Sequence, residues 1–535
     1  MVKGLKSFKA DWGQATPWFA YCIVTFTVAD LIFGIDSSIF GALQALPSWT
    51  HQFGSNVNGV YKLTTYRQAI VNSITYLGRL VGTVTFEPLV ERFGYKKLFW
   101  AIAFIQFIVV IIQITAKEWI QFTSGRVLSY VLVGWIESAA PTYAAEIAPM
   151  SLRGFAAGLV TPVNTVGAVW GAAMCRAYAT ETRKIGWMVP VGAQMIPAVL
   201  LIVLLPMSIE SPRWLVLKGR KEEALRGLKK LRTKEHTAAG LCETEIEVIE
   251  QAIEYDVQNN TAGWTDLFKG SYVRRSLYVI VFFFFYQCTG NSFYAAYGPT
   301  FLVSIGLGAK SFTYNIIVQC MGAVGAFIAI FTTDIVGRRP LCILGSALLI
   351  IWDCLIASLG GSSTHTTAAN KIVVASFVLM IWSTKLSWAT HAYMMSAELG
   401  GPRMRKKLMM VGTTADLIFA WMVSFCSPYI MNKPYGGIGG KIGYIWGGVA
   451  VIALFFAVFF LPELKGRSLE EMDELLSKFR WGWQYSSFQT TGVGAQMAQV
   501  EMSNVEGIKN ETKLNDDSDN KDDMFVAVQP VRSLV

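Results

Sequence analysis

The sequence contains a series of apolar runs, each close to the length that an α-helix needs to cross a lipid bilayer. A spanning helix requires about 20 predominantly apolar residues, because the hydrocarbon core is roughly 30 Å thick. Such runs occupy residues 18–41, 67–90, 97–116, 119–144, 153–176, 187–208, 274–303, 311–335, 340–359, 371–397, 406–430 and 442–461. Charged residues make up only 16% of the chain, against roughly 25% in an ordinary soluble domain. The sequence therefore predicts an all-α membrane protein with twelve transmembrane helices.

The charge balance and the cysteines indicate no cofactor. The formal net charge is +9, which we interpret as topology because membrane proteins concentrate Lys and Arg in cytoplasmic loops. The eight cysteines show no CxxC or zinc-ligand spacing. We therefore expect no disulfide framework, no metal, no cofactor and no nucleic-acid partner. The lipid bilayer is the expected environment, and we expect a monomer.

The basic residues also predict the orientation of the chain. With an even number of spans both termini lie on one side, and a cytoplasmic N-terminus places most loop cations in cytoplasmic loops, among them Lys96, Lys97, Arg338, Arg339 and Lys407. This asymmetry favours two cytoplasmic termini. The first apolar run is too long for the core of a cleavable signal peptide. We expect an integral protein of the plasma membrane that keeps this run as its first span.

One long polar connection divides the predicted spans into six plus six. Residues 209–272 carry Leu and Ile at helical spacing among charges, which indicates cytoplasmic amphipathic helices. The resulting divisions are a cytoplasmic N-terminal tail (1–17), an N-terminal six-helix bundle (18–208), a cytoplasmic helical linker (209–273), a C-terminal six-helix bundle (274–461), and a cytoplasmic C-terminal segment with a disordered tail (462–535). The tail contains the acidic stretch DDSDNKDD at 516–523 and lacks the apolar content to fold alone.

The two predicted bundles carry the same charged residues at equivalent positions. The pairs Glu91 and Asp334, Glu146 and Glu398, Arg153 and Arg405, and Glu210 and Glu463 are each separated by roughly 250 residues. Such self-similarity indicates an internal repeat. Two six-helix bundles related by a parallel repeat are the simplest explanation.

Four motifs around these residues resemble signatures of the sugar porter family of the major facilitator superfamily. They are GRVLSYVLVGWIESAAPTYAAEIAPMSLRG (125–154), ESPRWLVLKGR (210–220), DIVGRRP (334–340) and PELKGRSLEEMDEL (462–475). The resemblance covers about residues 18–478 and implies the major facilitator fold and a fungal-type sugar transporter. One departure is the loop ERFGYKK (91–97), where Tyr95 occupies a position at which the family carries a cation.

The repeated charges are predicted to form a cytoplasmic gate. A bistable transporter needs contacts that hold in one state and release in the other. The gate residues are Glu91, Arg92, Glu146, Arg153, Glu210 and Arg213 in the first bundle, and Asp334, Arg338, Glu398, Arg405 and Glu463 in the second. The alternative is that the loop cations only set the orientation.

A charged side chain inside a span is costly and requires a partner or a function. Asp36 and Arg126 lie at similar predicted depths, so a movement of Arg126 would load or release a proton at Asp36. The stretch Phe33-Gly34-Ile35-Asp36 also resembles the first helix of proton-coupled sugar porters. The alternative is a permanent structural ion pair.

Two further pairs also match in predicted depth. They are Lys385 with Asp416 and Asp30 with Arg79. We interpret them as structural neutralising pairs, although one member could contact the substrate.

A sugar site requires amide, hydroxyl and aromatic groups that line a cavity. The stretch YQCTGNSFYAAYGPTF (286–301) resembles a Gln-rich substrate motif of the family. The resemblance implies substrate contacts at Gln287, Asn291, Ser292, Tyr286, Tyr294, Thr161, Asn164, Glu137, Tyr393 and Asp416. Gly290 and Pro299 are expected to let the seventh span bend as a gate.

The sequence therefore predicts a proton-coupled symporter for a small sugar, either a hexose or a disaccharide such as an α-glucoside, which works by alternating access. A facilitative uniporter and a polyol or quinate porter are alternatives, and a sugar sensor is a further one. An enzyme is not expected, because the sequence contains no catalytic triad, metal cluster or phosphate loop.

Overall fold

The protein is described by a computed structural model that covers residues 16–57, 60–149, 152, 156, 158–259, 264–362 and 366–463. The regular structure of these residues is helical apart from one antiparallel hairpin, in which β1 (Ser55–Val57) pairs with β2 (Val60–Lys62). The all-helical prediction is confirmed. Most of the predicted C-terminal segment and tail lies outside the described residues.

The helices of the N-terminal part (residues 16–208) follow the predicted apolar runs. They are α1 (Pro17–Thr27), α2 (Ala29–Leu43), α3 (Pro47–Phe53), α4 (Thr65–Phe93), α5 (Tyr95–Ile114), α6 (Trp119–Ile147), α7 (Val160–Ala177), α8 (Ile185–Gly192) and α9 (Met195–Leu204). The predicted short helices of the connection are α10 (Pro212–Leu217), α11 (Lys221–Leu231), α12 (Lys234–Ala238) and α13 (Leu241–Asn259). The connection is therefore helical, as the spacing of its Leu and Ile residues indicated.

The C-terminal part (residues 271–463) contains the remaining helices. They are α14 (Ser271–Cys288), α15 (Asn291–Leu302), α16 (Lys310–Val336), α17 (Arg338–Gly360), α18 (Thr367–Thr384), α19 (Thr390–Leu399), α20 (Gly401–Met431) and α21 (Gly443–Phe459). A π-helical turn at Lys385–Ala389 joins α18 to α19. The seventh apolar run is broken between α14 and α15, where Gly290 has φ 97°.

Within the described residues, eight helical segments are long and apolar enough to cross a membrane. Helices α4 and α6 are not among them, although each has 29 residues. Both are longer than the roughly 20 residues that a span requires, but they carry the charged residues Arg79, Arg126 and Glu137. Intramembrane charges lower the hydropathy of a helix that is otherwise long enough to span.

The buried core divides at the helical connection. One hydrophobic cluster is built from residues 267–461. Two others are built from residues 19–231, with Phe312 added from the far side of the connection. A small fourth cluster joins α10, α11 and α13. Each side of the connection therefore packs around its own apolar core.

Helices α2 and α7 approach each other through glycines. A Cβ on Gly34 would collide with the carbonyl oxygen of Asn164, and a Cβ on Gly167 would lie 2.7 Å from the carbonyl oxygen of Leu31. Small residues let helix backbones come close where lipid provides no hydrophobic drive for association. These glycines therefore fix the distance between the two helices.

The two ends of the molecule differ in the contacts they make. We call the end with β1 and β2 the hairpin end, and the end with α10–α13 the linker end. Three hydrogen bonds join the N-terminal and C-terminal parts within the described residues: Gln44 Nε2 to Ala296 O (3.3 Å), Arg176 Nε to Thr313 Oγ1 (2.6 Å) and Asn432 Nδ2 to Gln68 Oε1 (3.2 Å). All three lie at the hairpin end, so the two parts are joined there.

Replacing Gly34 by Ala should destabilise the protein, because the new methyl group meets backbone rather than a movable side chain. We expect the free energy of unfolding to fall by about 1–3 kcal/mol, measured as a lower melting temperature of the purified protein in detergent. Gly448→Ala in α21 is the matched control, since a Cβ there has no atom within 4 Å. Equal melting temperatures for the two variants would contradict the close approach of α2 and α7.

Candidate functional site

Five polar side chains of the C-terminal part form one hydrogen-bonded group, which we call the amide–carboxylate cluster. Gln287 Oε1 accepts hydrogen bonds from Asn291 Nδ2 (3.2 Å) and Ser292 Oγ (2.5 Å). Gln287 Nε2 donates to Asp416 Oδ1 (2.5 Å), and Tyr393 Oη donates to Asp416 Oδ2 (3.1 Å). The structure thus brings together five of the residues that the sequence selected for substrate contact.

The break between α14 and α15 creates this cluster. Gly290 adopts a left-handed conformation, which costs glycine little because it has no Cβ. The helix is interrupted there, so Gln287 before the break and Ser292 after it reach each other. The predicted bend at Gly290 is therefore present as a break in the helix.

The N-terminal part contributes an ion pair at the same level. Arg79 of α4 donates to Glu137 of α6 through Nε (2.7 Å) and Nη2 (2.5 Å), which is a bidentate pair. The guanidinium also lies 5.3 Å from the centre of the Phe33 ring. Arg79 and Glu137 are both close enough to act electrostatically on Asp416. Charged groups from both parts therefore converge at the centre of the molecule.

The two charge pairs predicted from depth along the spans, Asp30 with Arg79 and Lys385 with Asp416, do not form hydrogen-bonded pairs in the structure. The predicted pair of Asp30 with Arg79 is wrong, because Glu137 holds the guanidinium and neither oxygen of Asp30 has a hydrogen-bond partner. Depth along a helix fixes the level of a side chain but not the direction in which it points. Lys385 lies within electrostatic range of Asp416, but the hydrogen bonds of that carboxylate go to Gln287 and Tyr393.

Asp36 and Arg126 lie near each other without forming an ion pair. Asp36 Oδ2 accepts a hydrogen bond from Ser129 Oγ (2.7 Å). The Arg126 guanidinium instead stacks 3.4 Å from the centre of the Phe40 ring, and its Nε and Nη1 have no hydrogen-bond partner. Both charged groups act electrostatically on Tyr130. In this state Arg126 rests on an aromatic ring while the Asp36 carboxyl is held by a hydroxyl group.

The structure does not bring every predicted substrate residue into the cluster. Tyr286 lies near it, since Asp416 acts on its phenol electrostatically. Tyr294 points elsewhere, because its hydroxyl group donates to Asp353 (3.0 Å) and its ring packs against Phe377. Thr161 is exposed on α7. The Asn164 amide nitrogen on the same helix is buried without a hydrogen-bond partner.

A carboxylate caps the start of a helix at the linker end of each part. In the N-terminal part Glu210 accepts hydrogen bonds from the backbone N–H groups of Tyr95 and Lys96, both at 3.0 Å. Burial raises the pKa of the Glu210 carboxyl, and the N–H donors of Ser211, Lys96 and Tyr95 oppose this shift. Gly94, with φ 87°, leaves the space that the carboxylate occupies.

The C-terminal part repeats this arrangement with one substitution. Glu463 accepts from the N–H groups of Arg338 and Arg339, both at 3.1 Å, after Gly337 with φ 107°. The Arg338 guanidinium donates to Glu398 at 2.8 Å. At the equivalent place the Tyr95 hydroxyl donates to Glu146 at 3.1 Å, and Glu146 also accepts from Ser211. The tyrosine therefore supplies a neutral donor where the repeat has a cation.

The structure describes some of the remaining predicted gate residues. The Glu91 and Arg92 side chains are exposed, and it is the Glu91 carbonyl oxygen that accepts a hydrogen bond, from Trp214 Nε1 (3.1 Å). Arg213 acts electrostatically on Tyr95. Arg153 and the side chains of Asp334 and Arg405 lie outside the described residues. Among the predicted gate residues that the structure describes, Glu146, Glu210, Arg338, Glu398 and Glu463 make the side-chain hydrogen bonds given above.

A cavity of about 990 Å³ opens at the hairpin end between the two parts. Its walls include Gln44, His51 and Gln68 from the N-terminal part, and Thr300 and Asn432 from the C-terminal part. Gln44 and Gln68 also make cross-part hydrogen bonds. The cavity therefore adjoins the contacts that join the two parts at this end.

Two features of the site escaped the sequence reasoning. The pairing of Arg79 with Glu137 was missed because both residues were assigned other roles. The bond from Tyr95 to Glu146 was missed because Tyr95 was regarded only as a lost cation, although its alignment with Arg338 in the repeat could have suggested a replacement donor. Among the described residues, no group of three or more His, Cys, Asp and Glu side chains is arranged to hold a metal ion.

Sequence comparisons identify relatives over most of the chain. A family profile described as "Sugar (and other) transporter" matches residues 21–476. The low-affinity glucose transporter HXT3 of Saccharomyces cerevisiae is 28% identical over 486 residues, which are 88% of this chain and 84% of the relative. The major facilitator-type transporter ecdD of Aspergillus rugulosus is 26% identical over 485 residues, covering 88% of this chain and 89% of that protein.

Structural comparisons identify the same fold. The inward open conformation of the xylose transporter XylE from E. coli matches with a TM-score of 0.70 and 21% identity, covering 86% of this chain and 100% of that chain. The proton:xylose symporter XylE bound to 6-bromo-6-deoxy-D-glucose matches with a TM-score of 0.66 and 21% identity, covering 86% and 99%. At this identity the likeness shows that the chain shares their fold.

Glu137→Gln should destabilise the protein, because it leaves the Arg79 guanidinium buried without a counterion. Removing one partner of a buried pair costs about 3–5 kcal/mol, which should appear as a lower melting temperature. The double variant Arg79→Gln with Glu137→Gln should melt higher than Glu137→Gln alone, since both charges are gone. The single variant Arg79→Gln completes the comparison. If the decreases in melting temperature of Arg79→Gln and Glu137→Gln simply add in the double variant, the two side chains do not interact.

Proposed function

The chain belongs to the sugar (and other) transporter family of the major facilitator superfamily, and on this premise we propose that it is a proton-coupled sugar symporter that works by alternating access. Its relatives are transporters, and their names include glucose and hexose transporters, which supports a hexose as the substrate. The solute passes through the centre of an integral membrane protein. The observation that carries this proposal is the convergence of polar groups from both parts at that centre.

The proposed topology has twelve transmembrane helices in two six-helix bundles with a cytoplasmic helical linker between them. Helices α4 and α6 are long enough to span and are counted among the twelve. The linker end carries Lys96, Arg338, Arg339 and Lys407, which supports a cytoplasmic linker end by the positive-inside rule. In this orientation both termini are cytoplasmic and the hairpin end is extracellular, as expected for a transporter of the plasma membrane.

The amide–carboxylate cluster is suited to a polyhydroxylated solute. A sugar hydroxyl group both donates and accepts hydrogen bonds, so it can replace the bonds that these side chains now make with one another. Asp416 offers a strong acceptor, and Gln287 and Asn291 offer both acceptors and donors. Tyr286 and Tyr393 provide aromatic faces for the apolar faces of the sugar ring. In this proposal Arg79 and Glu137 form the opposite wall of the site.

Alternating access requires that the two ends open at different times. The three hydrogen bonds at the hairpin end support a state that is closed to the outside. At the linker end Glu146 accepts a hydrogen bond from Tyr95, and Glu398 accepts one from Arg338. We propose that these carboxylates take part in the cytoplasmic gate when that end closes.

Asp36 is the proposed coupling residue, with Arg126 as its switch. In this state Arg126 rests on Phe40, and the Asp36 carboxyl accepts its hydrogen bond from Ser129. We propose that a movement of Arg126 toward Asp36 accompanies the change of state and couples it to proton transfer. A facilitative uniporter would not need this movement.

Uptake in a yeast strain that lacks its own hexose transporters tests the function directly. Radiolabelled glucose, xylose, maltose, a polyol and quinate are offered with and without a protonophore. Symport predicts accumulation against a gradient that the protonophore abolishes. Equilibration that the protonophore does not affect would support the uniporter, and no uptake of any sugar would contradict the proposal.

Gln287→Ala should weaken sugar binding by about 1–3 kcal/mol, the cost of leaving buried hydrogen-bonding groups unpaired. The measurement is the concentration dependence of uptake or of binding to the purified protein. Gln106→Ala is the matched control, because Gln106 is a buried amide bonded to Gln194 (3.1 Å) away from the cluster. Unchanged affinity in a well-expressed Gln287→Ala protein would move the substrate site elsewhere.

Asp36→Asn should abolish accumulation of sugar against a gradient while counterflow exchange continues, because Asn keeps the shape of the side chain and cannot titrate. Ser129→Ala is the control, since it removes only the hydroxyl donor to Asp36 and should leave accumulation in place. Normal accumulation by Asp36→Asn would exclude Asp36 as the coupling residue.

A further inference from the structure

Asp30 is a buried carboxyl group in the middle of the first apolar run. It is fully buried at the start of α2, and neither of its side-chain oxygens has a hydrogen-bond partner. The other carboxyl groups near the centre are each bonded: Asp36 to Ser129, Glu137 to Arg79, Asp353 to Tyr294 and Asp416 to Gln287. Asp30 therefore differs from its neighbours within the described residues.

An ionised carboxylate in this position would be very unfavourable. Burying a charge without a hydrogen bond or a counterion costs so much that the group takes up a proton instead. The nearest cation suggested by its depth, Arg79, is already held by both oxygens of Glu137. The neutral acid is therefore the form of Asp30 that fits this state.

The charged and titratable groups around Asp30 leave Glu137 as its electrostatic neighbour. The elements packed against α2 contribute Tyr21 and Cys22 of α1, Arg126, Tyr130, Glu137, Tyr143 and Glu146 of α6, Cys175 and Arg176 of α7, and Tyr294 and Tyr297 of α15. Arg126 stacks on Phe40, Arg176 bonds to Thr313, and Tyr297 bonds to Ser424. The interaction that reaches Asp30 is that of Glu137.

A continuous series of interactions leads from Asp30 to the proposed sugar site. Asp30 interacts electrostatically with Glu137, and Glu137 binds Arg79. Arg79 acts electrostatically on Asp416, which is bonded to Gln287. Loss of the proton from Asp30 would place a second negative charge near Glu137. The repulsion between the two carboxylates would change how Glu137 binds Arg79, and the field of Arg79 at Asp416 would change with it.

We propose that Asp30 is a second proton-binding site, distinct from Asp36, and that its occupancy is linked to sugar binding through Glu137, Arg79 and Asp416. The link rests on the proposed function, whereas the proton at Asp30 does not. In the state described here Asp30 is the neutral acid, and in a state that exposes it to water it releases the proton to water and becomes a carboxylate. Linkage is reciprocal, so protonation of Asp30 changes the affinity for sugar by the same factor by which bound sugar changes the affinity of Asp30 for a proton.

The first experiment tests the proton at Asp30 without any sugar. Infrared difference spectra of the purified protein at neutral pH compare wild type with Asp30→Asn. We expect the variant to lack one protonated carboxyl band of wild type and to keep all of its carboxylate bands. Glu245→Gln is the matched control, because Glu245 is partly exposed and paired with Arg232 (2.6 Å), so it should lose a carboxylate band. Loss of a carboxylate band in Asp30→Asn would overturn the proposal.

The second experiment tests the link to the sugar site. The Kd for glucose is measured from pH 5 to pH 8 on wild type, Asp30→Asn and Asp36→Asn. Coupled sites change each other's affinity by about 5- to 150-fold, so at least about a fivefold pH dependence is expected in wild type. Asp30→Asn and Asp36→Asn should each lose their own share of it. Equal pH dependence in Asp30→Asn and wild type would overturn the link.

Two further outcomes separate this proposal from the proposed function. If wild type binds no sugar, the proposed function and the link both fail, and the infrared spectra alone decide whether Asp30 holds a proton. Asp30→Leu is a second variant in case Asp30→Asn does not fold, because it places an apolar side chain in an apolar environment. It should lose the same protonated carboxyl band, and retention of that band would contradict the assignment.

Discussion

The ion pair between Arg79 and Glu137 is the interaction on which the centre of the molecule depends. A guanidinium inside a membrane-spanning protein needs partners from the protein itself, because lipid offers neither water nor a counterion. The bidentate geometry fixes α4 against α6, and the contact with Phe33 adds α2. The charge then acts across the junction between the two parts, at Asp416. One buried cation thus sets the electrostatics of a site built from both sides of the chain.

The same requirement explains the helix starts at the linker end. The first N–H groups of a helix have no partner within the helix and must find an acceptor. Glu210 and Glu463 supply that acceptor at equivalent places, and Gly94 and Gly337 leave room for it. A further contact differs between the repeats: Glu146 accepts from the neutral phenol of Tyr95, whereas Glu398 accepts from the guanidinium of Arg338. The two repeats therefore hold equivalent carboxylates with chemically different donors.

The broken helix at Gly290 connects the local backbone to the proposed transport function. It gathers Gln287, Asn291 and Ser292 around one space and leaves their hydrogen bonds directed toward each other. Such internal bonds are of the same type as those that a sugar can make, so the cluster can exchange one set for the other. The helix beyond the break, α15, carries Ala296, which accepts a cross-part hydrogen bond at the hairpin end. Helix α15 therefore connects the cluster to one of the hydrogen bonds that close the hairpin end.

The sequence by itself determined the helical class, the positions of most helices, the amphipathic connection, the internal repeat and the family. These properties follow from hydropathy, spacing and motifs, all of which depend only on the order of residues in the chain. It also selected Gln287, Asn291, Ser292, Tyr393 and Asp416 by resemblance, and the structure places these five side chains in one cluster. It did not determine which charges meet, because depth along a span gives the level of a side chain and not its direction.

The tertiary structure alone decided these partners. Helices α4 and α6 are brought close where Gly78, Gly82 and Gly134 leave no room for a Cβ, and this contact sets the rotation of α4. Arg79 consequently faces Glu137, and Asp30 is left without a partner. The same is true of Tyr294, which the seventh span carries toward Asp353 rather than toward the cluster. The rotation of each helix depends on the shapes of all its neighbours at once, and a periodic pattern in a single chain does not contain that information.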